Sequence, residues 1–369
     1  MNSLKIALAG NSAWSILNFR EDLIKNLIAS GHQVVVLAPF DQGKDKLEEL
    51  GCIFEDVVIS RRGLNPFTDF LLVLKYSKLI KRHSFDFILT FNPKPNIYNC
   101  FATFFSRTKI VVNISGLGSG FIKNNILRKL LVKMYYVALK RAHKIFFQNS
   151  SDQKVFEDLG ILKKNTSSLL PGSGINLHLF SKNNHHLSNL NKVQFTFVGR
   201  LLKDKGLLEF IEAAKFCIKQ KPNLIFNIYG DLDDGNPSSV TKDFIKHAKT
   251  RNIFFKGHIN DIRAALSETH CIVLPSYREG LSRSLLEAAA LGIPIIATNV
   301  PGCRELVDQN INGFLCKVRD PNDLGKKILK FANLDAESII TMGNNSRIKA
   351  ETDYSVDIVI KKYLDVLKN

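Results

Sequence analysis

No apolar stretch in this sequence reaches the roughly 18 residues that a membrane-spanning helix requires, which excludes a spanning segment. The opening run, MNSLKIALAG, is short in apolar residues and leads straight into strand-like sequence, so a signal peptide is not expected. None of the six cysteines (52, 100, 217, 271, 303 and 316) forms a C-x-x-C pair or stands with histidines at zinc spacing. They read as reduced thiols of a cytosolic protein. No G-x-S-x-G segment or catalytic-cysteine signature is present, which removes the nearest hydrolases. The turn after the first strand, AGNSAWSILNFR, offers only Gly10 and lacks the dinucleotide fingerprint, which counts against an NAD-dependent dehydrogenase.

Acidic residues are scarce in one place. From Lys75 to Lys144, fourteen Lys or Arg face a single acid, Asp86, so +13 of the chain's net +17 sits in these 70 residues. The segment FIKNNILRKLLVKMYYVALKRAHK (121–144) interleaves that charge with Phe, Leu and Tyr. Arg128, Lys129, Lys133, Lys140 and Arg141 therefore read as a surface for the anionic headgroups of the inner membrane. The plain alternative is an amphipathic helix whose basic residues are merely solvated. Nucleic acid is not expected as a partner, since no helix-turn-helix, zinc-finger or stacking-platform signature accompanies the charge.

What is present is a repeated alternation of strand and helix. Apolar, β-branched runs fall at 4–9, 33–38, 53–59, 85–90, 109–114 and 144–148, with helical stretches near 17–30, 66–83, 94–106, 123–141 and 151–160. A polar stretch, 172–192, marks a linker, after which strands at 193–199, 224–230, 252–257, 270–275 and 293–298 alternate with helices again. Near-continuous apolar strands between helices imply parallel sheets covered on both faces. The expected fold is α/β with two doubly wound Rossmann-like domains. Their boundaries are placed at 1–180, a linker at 181–192, a second domain at 193–350, and a terminal helix within 351–369. Such domains bind ligands at the carboxyl ends of their strands, and two of them put a crevice between them.

The most informative segment is YREGLSRSLLEAAALGIPIIA (277–297), which sets Glu279 and Glu287 around a helix start near Leu281. The first N–H groups of a helix have no partner inside it and favour an anion such as a diphosphate. Carboxylates accept hydrogen bonds from paired hydroxyls. A ligand with sugar hydroxyls, a diphosphate and a ribose diol fits, which is a nucleotide sugar. Upstream, FVGRLLKDKGLLEF places Arg200 at a strand's end and Lys205 at the next helix start, where both can converge on one diphosphate and stabilise it as a leaving group.

The run GRLLKDKG, the E-x7-E of Glu279 and Glu287 within EGLSRSLLEAAALGIPIIATNVPGCRELV, and the later NGFL (312–315) together resemble the retaining family 4 of GT-B glycosyltransferases. The resemblance covers nearly the whole chain, including a closing helix (354–368) that in this family packs on the first domain. It implies that Arg200 and Lys205 hold the donor diphosphate and that Glu279 contacts the donor sugar. It also implies that Glu287 takes the ribose hydroxyls, the N–H groups of Gly280, Leu281 and Ser282 meet sugar or phosphate, and Gly257 borders the base. SRRGLNPF (60–67) and NISGLGSGF (113–121), with Gly116, Gly118 and Gly120, look like the branch that builds bacterial surface glycans on undecaprenyl-diphosphate sugars.

Asp231, Asp233 and Asp234 contain a D-x-D, but beside Gly235 and Pro237 they read as a solvated turn. His185 and His186 stand without further metal ligands. Many relatives place a His after the fourth strand, whereas this chain has TFNPKPN (90–96). Asn92, Lys94 and Asn96 could position an acceptor there, but Asn is no base and an exposed Lys is protonated near neutral pH. The expectation is a metal- and cofactor-independent retaining enzyme at the cytoplasmic face of the inner membrane. It would move a hexosamine-type sugar, an N-acetylhexosamine, from a UDP donor to a lipid-diphosphate-linked saccharide. The rivals are a GT-B-like UDP-sugar 2-epimerase and a basic membrane- or nucleic-acid-binding module with a vestigial cleft.

Overall fold

The computed structural model describes residues 3–60, 65–117, 121, 126–162, 166–181, 192–259 and 261–368. Gly118 and Gly120, His185 and His186 and most of the expected linker lie outside the described residues. The chain divides into two compact units, Met1–Gly174 with Val356–Asn369, and Ile175–Ser355.

In the first unit, strands β1 (Lys5–Ala9), β2 (Gln33–Ala38), β3 (Ile53–Asp56), β4 (Phe87–Phe91), β5 (Lys109–Ile114), β6 (Lys144–Phe147) and β7 (Ser167–Leu169) form a parallel sheet in the order β3-β2-β1-β4-β5-β6-β7. Between them run α1 (Ala13–Ala29), α2 (Lys44–Glu49), α3 (Pro66–His83), α4 (Pro93–Ala102), α5 (Ile126–Ala138) and α6 (Ser150–Asp158). Successive side chains of a strand point to opposite faces, and the core divides accordingly. Ile6, Leu8, Val34 and Val36 pack with α1, while Ala7, Ala9, Val35 and Leu37 pack on the face of α3, α4 and α5.

The second unit holds β8 (Gln194–Val198), β9 (Ile225–Tyr229), β10 (Ile253–Gly257), β11 (Cys271–Leu274), β12 (Ile295–Thr298) and β13 (Gly313–Cys316), parallel in the order β10-β9-β8-β11-β12-β13. Its helices are α7 (Leu207–Gln220), α8 (Lys242–Ala248), α9 (Ile262–Leu266), α10 (Arg283–Ala290), α11 (Pro321–Phe331) and α12 (Ala336–Tyr354). The last helix, α13 (Val356–Leu367), belongs to the first unit, where Tyr363 donates to Asn113 Oδ1 at 2.6 Å and its ring meets Phe146 edge-on.

Each sheet has one place where the strand order reverses, between β1 and β4 in the first and between β8 and β11 in the second. Ligands of doubly wound sheets bind outside the strand ends at such a switch point. Three elements were not expected, namely α2, β7 and β13. The units also part at 174/175 and 355/356 and not at 180 and 350. Ile175 N–H donates to Tyr354 O at 2.8 Å and Phe180 sits in the second core, so residues 175–180 and the last turn of α12 belong to the second unit. The helix expected near Leu281 begins at Arg283, because Ser282 takes the N-cap position and its hydroxyl accepts the Leu285 N–H.

Candidate active site

At the second switch point, β8 ends and the chain turns through Arg200 into a single 3₁₀ turn, Lys203–Lys205. Gly206 closes that turn at φ +73°, and a Cβ there would stand 2.0 Å from Pro275 O. Only glycine permits this approach, so the Lys205 turn lies directly on the end of β11. Lys205 Nζ reaches Glu279 Oε1 at 2.6 Å, with both side chains largely shielded from water. The same carboxylate oxygen accepts from Ser276 Oγ at 2.7 Å, and the Ser276 carbonyl is bound by the Thr298 hydroxyl.

A loop after β12 fixes Glu279 from the other side. Gly302, at φ +81°, would place a Cβ 2.5 Å from the Glu279 carbonyl carbon. Glu279 N–H donates to Pro301 O at 3.0 Å and Ser282 N–H to Gly302 O at 2.8 Å. The Ser282 N–H is therefore spent within the fold, contrary to its expected part in holding the ligand. Tyr277 anchors the same loop: its hydroxyl donates to Glu209 Oε1 at 2.7 Å, and Arg319 lies 4.5 Å over its ring. Burial and the Glu209 carboxylate push that phenol up to about 12. Gly280 and Leu281 are half-buried beside these anchors.

Arg200 and Lys205 do not share a partner. Arg200 Nη1 pairs with Asp233 Oδ2 at 2.6 Å, and Asn236 Nδ2 donates to the same oxygen at 2.8 Å. The D-x-D segment is thus not simply a solvated turn, since Asp233 takes the guanidinium, while Asp231 faces His258 at 3.4 Å on the exposed rim. Gly257 ends β10 at φ +75° with open space where a Cβ would be. Glu287 stands in the second turn of α10, half-buried, and accepts from Arg283 Nε at 2.8 Å. Burial raises its carboxyl above the ordinary value, and Arg283 opposes the rise.

In the first unit the switch point brings Gly10 and Asn92 together. Asn92 Oδ1 accepts from Asn11 N–H at 3.2 Å and stands 3.8 Å from where a Gly10 Cβ would be. Asn92 itself holds φ +80° and ψ 154°, a conformation open almost only to glycine and costing of order 1–3 kcal/mol. Lys94 and Asn96 are both engaged within the fold of the first unit. Lys94 is paired with Asp69 at 2.8 Å between α4 and α3, and Asn96 is buried with its Nδ2 donating to Asn113 O at 2.8 Å. Gly116 is half-buried at φ +133° after β5.

On the basic stretch, Lys129, Lys133 and Lys140 are exposed and Arg128 is half-buried. Arg141 is not a surface residue for lipid. Its guanidinium donates to the carbonyls of Thr103, Ser106 and Thr108 at 3.0, 2.5 and 3.0 Å, closing the chain between α4 and β5.

The description "Glycosyl transferase 4-like" matches residues 5–149, and "Glycosyl transferases group 1" matches residues 181–349. A protein from Campylobacter jejuni, N,N'-diacetylbacillosaminyl-diphospho-undecaprenol alpha-1,3-N-acetylgalactosaminyltransferase, is 30% identical over 99% of this chain and 100% of its own. The chain belongs to the family 4 glycosyltransferases. An Escherichia coli relative, UDP-Gal:alpha-D-GlcNAc-diphosphoundecaprenol alpha-1,3-galactosyltransferase, is 25% identical over 84% of this chain and 82% of its own. Among solved structures, Anabaena HepE in complex with UDP-glucose superposes with a TM-score of 0.82 at 19% identity, covering 99% of each chain. The glycosyltransferase thus has the expected GT-B fold of two Rossmann-like domains.

Sequence reasoning on the glycosyltransferase missed Asp233, Ser276, Thr298 and Gly302. Gly302 carried a local signal in the Pro-Gly pair before CREL, and Asp233 in the D-x-D that was read as a solvated turn. The arrangement as built holds Glu279 rigidly and keeps two cations at the switch point, Lys205 on Glu279 and Arg200 on Asp233, whose charge can serve a di-anionic leaving group.

Proposed function

We propose that this glycosyltransferase transfers an N-acetylhexosamine, with retention, from a UDP-sugar to a polyprenyl-diphosphate-linked saccharide in bacterial surface glycan synthesis. The observation that carries the reading is the Lys205–Glu279 pair at the second switch point, braced by Ser276 and Gly302. The Campylobacter relative, matched end to end, supplies the substrate class. Arg200 and Lys205 would exchange their carboxylate partners for the donor diphosphate, Glu279 would accept from the sugar, and Glu287 from the ribose hydroxyls. Gly257 would border the base, with Gly280 and Leu281 backing the sugar.

The step breaks the bond from the sugar's C1 to the diphosphate oxygen and forms one from C1 to the acceptor oxygen on the same face. The acceptor hydroxyl's proton passes to the departing diphosphate oxygen, so no enzymic base is needed. Arg200 and Lys205 offset the charge that develops there. Asn92, held in shape by Asn11 and Gly10, would present its amide to the acceptor. No metal enters this scheme. The enzyme would work at the cytoplasmic face of the membrane, where a lipid-linked acceptor and a soluble nucleotide sugar meet.

The test is a panel of nucleotide sugars incubated with and without a synthetic polyprenyl-diphosphate saccharide, in the presence and absence of EDTA. Acceptor-dependent transfer from a UDP-N-acetylhexosamine, unaffected by EDTA, is expected. Interconversion of a UDP-sugar without acceptor would replace this reading with an epimerase, and loss of transfer with EDTA would overturn the metal-free scheme.

A further inference from the structure

Helix α3 carries two apolar stripes. One, with Leu72, Tyr76, Leu79 and Ile80, is buried against the sheet and α4. The other, Phe67, Phe70, Leu71 and Leu74, repeats at i, i+3, i+4 and i+7 and faces solvent, with Phe67 71% and Phe70 59% exposed. Beyond Leu74 the same side of the helix turns basic, through Lys75 and Lys78, both exposed. The helix's one acid, Asp69, is turned inward and paired with Lys94. Helix α5 repeats the gradient. Ile126 is 85% exposed and Leu130 nearly half exposed, with the exposed Lys129 and Lys133 among and after them. Helix α4 packs against both α3 and α5. In a parallel sheet all three enter from the carboxyl ends of the strands, where α4 begins at Asn92.

We infer that the first turns of α3 and α5 form a two-helix foot that inserts into an anionic lipid surface. It rests on the lipid-linked acceptor proposed above and adds an apolar anchor to what the basic residues alone provide. From Phe67 to Leu74 the helix rises about 10 Å, the depth to which interfacial helices bury their apolar face. Lys75 and Lys78 then stand at headgroup level. A second copy of the chain is a poorer occupant, because a two-fold contact would bring two equally basic surfaces together with no exposed acid on α3 or α5 to meet the lysines. Docking by these turns places the Asn92 switch point at the surface from which a lipid diphosphate emerges.

The full chain is floated with vesicles of phosphatidylcholine and phosphatidylglycerol at low and high salt. Wild type is expected to retain part of its binding at high salt, since the apolar contribution is not screened. The double variant Phe67→Ser/Phe70→Ser is expected to bind at least ~10-fold more weakly and to lose that salt-resistant part. Phe105→Ser, at the opposite end of α4 and fully exposed, is expected to bind as wild type. Transfer to a water-soluble short-chain acceptor should be unchanged in both, which separates this proposal from the glycosyl-transfer reading. A Phe70→Trp variant in a Trp14→Phe background should be quenched by bromine-labelled acyl chains. Wild-type-like flotation of the double variant, absence of quenching, or a dimer in sedimentation that the double variant dissociates would each overturn it.

Discussion

Between β1 and β4 the loops of the first sheet meet through an amide, Asn92 Oδ1 on Asn11 N–H, whereas between β8 and β11 a lysine and a glutamate meet at 2.6 Å. Both switch points stand on doubly wound parallel sheets, so the fold does not account for the contrast. Its source is which atoms each place holds in tension. In the first unit the tension is conformational: a non-glycine residue sits at φ +80° where α4 starts, just before Pro93. In the second it is electrostatic: two cations, Arg200 and Lys205, are kept beside two carboxylates that a diphosphate would displace. A site that must bind and release a nucleoside diphosphate gains from exchangeable charge, while a site that must orient a hydroxyl gains from a fixed backbone.

Arg200→Ala should give the largest effect that separates the two places, a fall in transfer of ~100-fold or more, because leaving-group charge is then offset by Lys205 alone. A rate close to wild type would remove charge as the working principle of the second switch point. Asn92→Gly removes the amide while accommodating φ +80°. The strain released and the Asn11 bond lost are both of order 1 kcal/mol, so Tm should hardly move. Acceptor-dependent transfer should fall ~10-fold, the cost of about one hydrogen bond, while hydrolysis of the donor by water stays constant. Equal losses in both reactions would break the division between donor and acceptor chemistry.

The smallest effect concerns Glu287. Burial holds its carboxyl above the ordinary value of 4.5 in the folded chain, against the pull of Arg283. A carboxyl raised in this way stabilises the fold while protonated, and that contribution is lost as pH rises through the folded value. Ionised Glu287 therefore costs stability at neutral pH. In Glu287→Gln, Tm at neutral pH should equal or exceed wild type, with the difference closing as pH falls below the raised value. UDP affinity should drop ~10-fold, the cost of about one hydrogen bond to a charged group. A lower Tm at neutral pH, or unchanged UDP affinity, would detach this residue from the donor side.

The fold was legible because nearly every strand is an uninterrupted apolar run, and α2, β7 and β13 escaped because they are short and carry mixed residues. The family motif was legible as spacing along one chain, and Lys205 and Glu279 do meet. The pairings were not. Asp233 is 33 residues from Arg200, and Gly302 is 23 from Glu279, so neither contact leaves a periodic trace. Charge counting went wrong where a cation is used inside the fold. Arg141 and Lys94 add to the basic total of the first half, yet one caps three carbonyls and the other pairs with Asp69. The exposed stripe of α3 was hidden for the converse reason: a helix with apolar residues on two faces reads as a buried one.

The most direct measurement is the steady-state transfer of an N-acetylhexosamine from its UDP donor to a polyprenyl-diphosphate saccharide by Glu279→Ala, beside wild type. With the Lys205–Glu279 pair at the centre of the donor site, kcat/KM should fall ~100-fold or more while the variant keeps its Tm and still binds UDP. A variant that is equally well folded and transfers at close to the wild-type rate would contradict the assignment of the second switch point as the place of the chemistry.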